Sequence, residues 1–164
     1  GILNVKKTDT NPGFLEMWLP HGANPKNETY AYVVLPGKTP EQTAAYTENP
    51  DVEILVNNES VQAVREKTLN ATGMVFWKAG SFGGITASEA MTLMTEEKDG
   101  VMTVVVSDPT QKLKAATVTI SGKNLTLLEN DRHIEAKTAS GSTTLNINFE
   151  ESGGGTYTAR FQIG

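Results

Sequence analysis

Two histidines and three arginines are the side chains best suited to move a proton or hold an anion in this 164-residue chain. His21 stands in Pro20-His21-Gly22 and His133 in Asn130-Asp131-Arg132-His133, both turn-like polar settings. Arg65, Arg132 and Arg160 are scattered in sequence. Two distant histidines do not make a metal constellation, and the absence of cysteine rules out thiolate sites and disulfides. No Ser/His/Asp order has motif context, and no glycine-rich phosphate loop appears. Asp51, Glu53 and Glu59 offer carboxylate oxygens, but Ca²⁺ takes about six to eight ligands. A structural Ca²⁺ there is the one cation reading left open; no metal site and no cofactor are expected. Trp18, Tyr30, Tyr32 and Trp77 offer rings on which a sugar could stack. Rings of this kind also serve as packing in a sheet or at an interface.

The elements that must position these groups read mostly as strands. Leu15, Met17 and Leu19 alternate with Phe14, Glu16 and Trp18 until Pro20-His21-Gly22 breaks the run. Tyr30 to Leu35 is β-rich and is stopped by Pro36-Gly37. Thr39 as N-cap, Pro40 at the first helical position and Gln42 at capping-box spacing predict one short helix near residues 40–48, ended by Asn49-Pro50. Val52 to Val56, Ser60 to Arg65 (after an Asn57-Asn58 turn) and Met74 to Trp77 read as strands. Three glycines between Lys78 and Gly84 mark residues 78–86 as a candidate linker. Asp99-Gly100 predicts a hairpin between Met91–Thr95 and Val101–Ser107. Gly122-Lys123-Asn124 predicts a second, between Thr117–Ser121 and Leu125–Leu128. Alternating runs around Leu145–Phe149 and Tyr157–Ile163 complete six short strands beyond residue 90. The fold class expected is all-β, an antiparallel β-sandwich.

Composition bounds the partners. Thirty-eight per cent apolar and twenty per cent charged residues suit a globular chain. The net charge of −5 is evenly spread, with seven Lys/Arg against nine Asp/Glu in residues 1–80 and seven against ten in 81–164. Neither half carries the basic field that nucleic acid or an anionic membrane would need. No apolar run is long enough to span a bilayer. Four Asn-X-Ser/Thr triplets, at Asn27, Asn58, Asn70 and Asn124, read as accidents of an Asn- and Thr-rich β chain.

Two neighbouring segments carry a resemblance. The first holds Trp18-Leu19-Pro20-His21-Gly22, Asn24-Pro25 and Tyr30-Ala31-Tyr32-Val33-Val34-Leu35-Pro36. The second holds Asn49-Pro50-Asp51-Val52-Glu53-Ile54-Leu55, Val61-Gln62-Ala63-Val64 and Phe76-Trp77. In order and spacing they are similar to the C-terminal β region of polysaccharide lyase family 8, the hyaluronate, chondroitin AC and xanthan lyases. Val106-Ser-Asp-Pro-Thr-Gln111 also looks like that family's C-terminal domain. Many members have Asp where Pro20 stands. Asn49-Pro50-Asp51 and Phe76-Trp77 lie nearer to xanthan lyase than to hyaluronate lyase.

The resemblance implies that residues 1–45 end a central β-sheet domain and that residues 46–164 form a C-terminal β-sandwich domain. It implies a bacterial, secreted or cell-surface parent that cleaves uronic-acid polysaccharide by β-elimination. Such chemistry neutralises the carboxylate, removes the C5 proton with a base and protonates the leaving oxygen with an acid. The family draws these groups mainly from a helical domain, and no residue here matches its catalytic motifs, so no catalytic residue is assigned. His21, Asn24, Tyr30, Tyr32 and Trp77 are the candidates for substrate contact. The partners implied are the remaining lyase domains and a polyanionic polysaccharide. Self-association through the N-terminal strands is expected, because an unpaired edge recruits a neighbour. The function expected is a non-catalytic module supporting the substrate cleft; an autonomous carbohydrate-binding module is the alternative.

Overall fold

A computed structural model describes residues 18–150 and 153–164. The chain divides into two compact units between Pro36 and Gly37, ahead of the boundary expected at residue 45. The described part of the first unit, residues 18–36, contains no helix and no strand. The strand expected over Tyr30–Leu35 is therefore corrected to chain without a ladder. β propensity marks a segment that fits a pleated surface, but a strand exists only where a neighbour satisfies its amides, and none lies alongside among the described residues. The run from Leu15 to Met17 lies outside them.

The second unit begins with helix α1, Pro40–Glu48. Thr39 Oγ1 accepts from Gln42 N at 3.2 Å and Gln42 Oε1 accepts from Thr39 N at 3.0 Å, which closes the capping box. Twelve strands follow among the described residues, in two antiparallel sheets. The larger sheet runs in the order β1 (Val52–Asn57), β2 (Val61–Glu66), β3 (Ala71–Phe76), β6 (Met91–Lys98), β7 (Val101–Ser107), β12 (Thr156–Ile163) and β9 (Leu125–Asn130). The smaller runs β10 (Ile134–Ala139), β11 (Ser142–Asn148), β8 (Ala115–Ser121), β5 (Ile85–Ala87) and β4 (Gly80–Phe82).

Alternation puts one row of each strand inside. Ala63, Met74, Leu93, Val106 and Tyr157 stand opposite one another across five strands of the larger sheet. Ala87, Val118, Leu145 and Ala136 do the same across the smaller. These rows meet in one core, in which Val104, Val118, Leu145 and Phe161 are wholly excluded from solvent. Burying each such side chain stabilises the fold by about 1.5–3 kcal/mol, which is why the alternating runs dictate this architecture.

Two expectations change. Residues 78–86 are not a linker: Gly80–Phe82 and Ile85–Ala87 form a hairpin whose turn residues Gly83 and Gly84 both have positive φ. Its glycines serve a tight turn, and Ile85 and Ala87 are core. Nor is β8–β9 a hairpin. β8 belongs to the smaller sheet and β9 to the larger, so Gly122-Lys123-Asn124 carries the chain from one layer to the other. The Asp99-Gly100 hairpin forms as its sequence predicts, with positive φ at both residues. β10 was not read from the sequence at all.

Candidate functional site

The larger sheet has seven strands and the smaller five. At one end of the sandwich the two layers part around a cleft of about 370 Å³. Its floor is apolar, formed by Met74, Met102, Ile85 and Ile120 with Phe82 and Leu55. Leu55 reaches it because β1 bulges there: Ile54 pairs with Val64 and Val56 with Ala63, leaving Leu55 as the extra residue. The rim is polar, with Asn70, Thr72 and Thr95 on one layer and Ser121 on the other.

Three charged side chains line the cleft, two of them cationic. Lys123 Nζ pairs with a Glu97 oxygen at 2.9 Å, and both are partly exposed. Such a pair contributes on the order of 0–1 kcal/mol, so its effect here is mainly to fix two side chains across the gap between sheets. Arg65 is held differently. Its Nη2 donates to Asn70 Oδ1 at 2.7 Å, and no described carboxylate lies within ion-pair distance. Glu53 is its register partner on β1 and makes no such pair. Asn70, a turn residue at a left-handed φ of 51°, is fixed in turn. Its Nδ2 donates to Glu97 O at 3.1 Å, and its own carbonyl accepts from Glu97 N at 3.2 Å. Beside it the Glu66 carboxylate accepts from Thr68 Oγ1 and from Leu69 N, which lowers its pKa and pins the β2–β3 turn. The sequence signal for this cleft was slight, since Arg65 reads only as an imperfect member of an alternating strand.

The residues expected at a site are divided between the two units. His21, Asn24, Tyr30 and Tyr32 lie exposed in the first unit, with Asn24 at positive φ. Trp77 lies in the second, 59% exposed, and its Nε1 donates to Gln62 Oε1 at 3.2 Å. Asp51 stands just before β1, Glu53 on it and Glu59 in the turn after it. Among the described residues no three His, Asp or Glu side chains gather closely enough to hold a metal ion. His133 stacks on Tyr157 with ring centroids 4.3 Å apart. Its Nε2 accepts from Arg132 Nε at 3.2 Å and its Nδ1 faces Asn148 O at 3.2 Å, an arrangement that suits the tautomer protonated on Nδ1. Both ring nitrogens are thus engaged, Nδ1 with the end of β11, while the ring face packs on Tyr157 of β12.

Asp108 is the buried carboxylate that the sequence did not single out for a role. Only 1% exposed, it accepts from Thr110 N and Thr110 Oγ1 on one oxygen, at 2.8 and 2.7 Å, and from Lys112 N and Leu113 N on the other, both at 2.8 Å. Burial is the largest single influence on its pKa and pushes it up. The hydrogen bonds led by Leu113 N outweigh that, and the net pKa is lowered.

The outer faces of the sheets differ. On the larger sheet Ile54, Val64, Gly73, Met94 and Val105 form one cross-strand row, with Ile54, Val64 and Met94 between 42% and 50% exposed. On the smaller sheet the corresponding row is Lys137, Thr144, Thr119, Thr86 and Ser81. That row of the smaller sheet turns hydroxyls to water and its counterpart on the larger turns hydrocarbon, while the larger sheet's flanking outward rows, such as Glu66-Ala71-Glu96-Thr103, are mostly polar.

Two family models match the sequence. Residues 53–117 match the polysaccharide lyase family 8 C-terminal β-sandwich domain, and residues 2–47 match the family's super-sandwich domain. The chain is 34% identical over 151 residues to a xanthan lyase of Bacillus sp. strain GL1, covering 90% of this chain and 16% of that enzyme. It is 36% identical over 136 residues to a hyaluronate lyase of Enterococcus faecalis, covering 82% of this chain and 13% of that one. The structure of a Paenibacillus xanthan lyase superimposes with a TM-score of 0.73 at 31% identity, over 79% of this chain and 13% of that protein. The chain therefore spans less than a fifth of the length of these relatives.

Proposed function

The chain belongs to polysaccharide lyase family 8, and from that premise we propose that it is a non-catalytic β module of a longer, secreted lyase. The C-terminal β-sandwich domain of the family is the fold present here. In this reading the module braces the substrate cleft from outside and leaves the β-elimination to residues elsewhere in the parent.

The observation that carries the reading is the apolar row on the larger sheet. Solvated antiparallel sheets turn polar side chains outward, as the smaller sheet does. A row of Ile54, Val64, Met94 and Val105 beside Trp77 is a surface that gains free energy when another layer covers it. The remaining domains of the parent are the proposed cover, and a polyanionic polysaccharide the proposed substrate of the whole. The engagement of His133 with Tyr157, Arg132 and Asn148 supports a structural role for that side chain.

The test is to assay the purified chain on hyaluronan, chondroitin and xanthan, following the ultraviolet absorbance of unsaturated product. No turnover is expected. Sustained product formation by this chain alone overturns the reading.

A further inference from the structure

We infer that the cleft between the sheets binds a carboxylate-bearing saccharide of one or two rings. At about 370 Å³ it falls at the small end of the range of roughly 300–1,000 Å³ typical of ligand sites. That space suits a short sugar and excludes a long segment of polymer lying lengthwise. Its floor and rim divide the labour. Leu55, 37% exposed, and the half-buried Phe82 offer the apolar surface that the C–H face of a pyranose ring needs, over a base of Met74, Met102 and Ile120.

Arg65 argues for a carboxylate. A guanidinium carries five N–H donors in a rigid fork that matches a carboxylate in two-point contact. Asn70 Oδ1 occupies one donor and fixes the plane, while Asn70 itself is clamped to Glu97 by two hydrogen bonds. The cation is thus held in place before any ligand arrives, so little side-chain entropy remains to be lost on binding. Lys123 and Glu97 neutralise one another, so Arg65 is the lining cation that no described carboxylate pairs.

A fatty acid shares the carboxylate chemistry. It would leave Asn70, Thr72, Thr95 and Ser121 facing hydrocarbon, and unsatisfied polar groups weaken binding. Sugar hydroxyls would satisfy them. The choice of a sugar also rests on the lyase reading above.

The experiment is an amide chemical-shift titration of the chain with three probes: a glucuronosyl-glucose disaccharide, cellobiose as its neutral counterpart, and octanoate. The glucuronoside is expected to shift the amides of Asn70, Thr72, Thr95 and Ser121, and cellobiose to bind at least about tenfold more weakly, a single charge-assisted contact. Arg65→Gln should erase the difference between the two sugars. Ser121→Trp, at an exposed rim position, should block the cleft and abolish the shifts. Equal response to both sugars, preference for octanoate, shifts confined to other residues, or no response overturns the inference. None of these outcomes bears on whether the chain cleaves polysaccharide, so the two readings fail separately.

Discussion

At the residue scale, the side chains that organise this molecule are polar groups engaged with backbone. Asp108 closes the loop after β7 through four hydrogen bonds, and Asn58 Oδ1 accepts from Ser60 N and Val61 N, at 2.8 and 2.9 Å, to turn the chain into β2. Asp108→Asn would set an NH₂ against amide donors that now meet an oxygen, and is expected to cost about 2–3 kcal/mol in urea denaturation at neutral pH. The folded-state pKa of Asp108 is lowered. Its contribution is therefore fully present above the unfolded value of about 4 and is lost as pH falls through the folded one. The loss of stability on acidification through that window should be smaller in Asp108→Asn than in the parent sequence. The asparagines could be read as turn residues from their type, whereas the roles of Asp108 and Arg65 could not. Those roles depend on the loop returning over the carboxylate and on the bulge and turn that surround the guanidinium, neither of which has a spacing signature.

At the scale of elements, turn chemistry was legible where two strands of one sheet meet and misleading where the chain changes layer. Thr39-Pro40-Glu41-Gln42 announced the helix, and Asp99-Gly100 announced a hairpin, because each local pattern is sufficient for its geometry. Gly122-Lys123-Asn124 has the same turn composition. Composition tells that a chain reverses, not which sheet the next strand joins, and that choice is made by the core. The glycines between Lys78 and Gly84 resembled a linker for a related reason, since flexible and tightly turning chain use the same residue. Gly100 separates these cases by measurement. Its φ is +76°, and an added Cβ would stand 3.1 Å from Gln162 Nε2, the group that donates to its own carbonyl. Gly100→Ala should lower stability by about 1–2 kcal/mol, read as a shift in the denaturation midpoint with an unchanged slope.

At the scale of the whole molecule, the sandwich class followed from alternation alone, but the inequality of its outer faces did not. Alternation distinguishes in from out and is silent on whether an outward side chain stays in water. The exposed row on the larger sheet predicts that the isolated chain associates as its concentration rises. Val64→Lys with Met94→Lys should shift sedimentation toward monomer while changing stability by no more than about 0.5 kcal/mol per site, as surface substitutions do. The order β7–β12–β9 has a consequence of another kind. β12, the latest in sequence among the described strands, lies between two that are made before it, so β9 has no place in the larger sheet until Thr156–Ile163 has left the ribosome. Until then Leu125 and the inner face of β7 wait uncovered. Closure of this core waits on β12, and the nascent chain is exposed to chaperones and to misassembly for that interval.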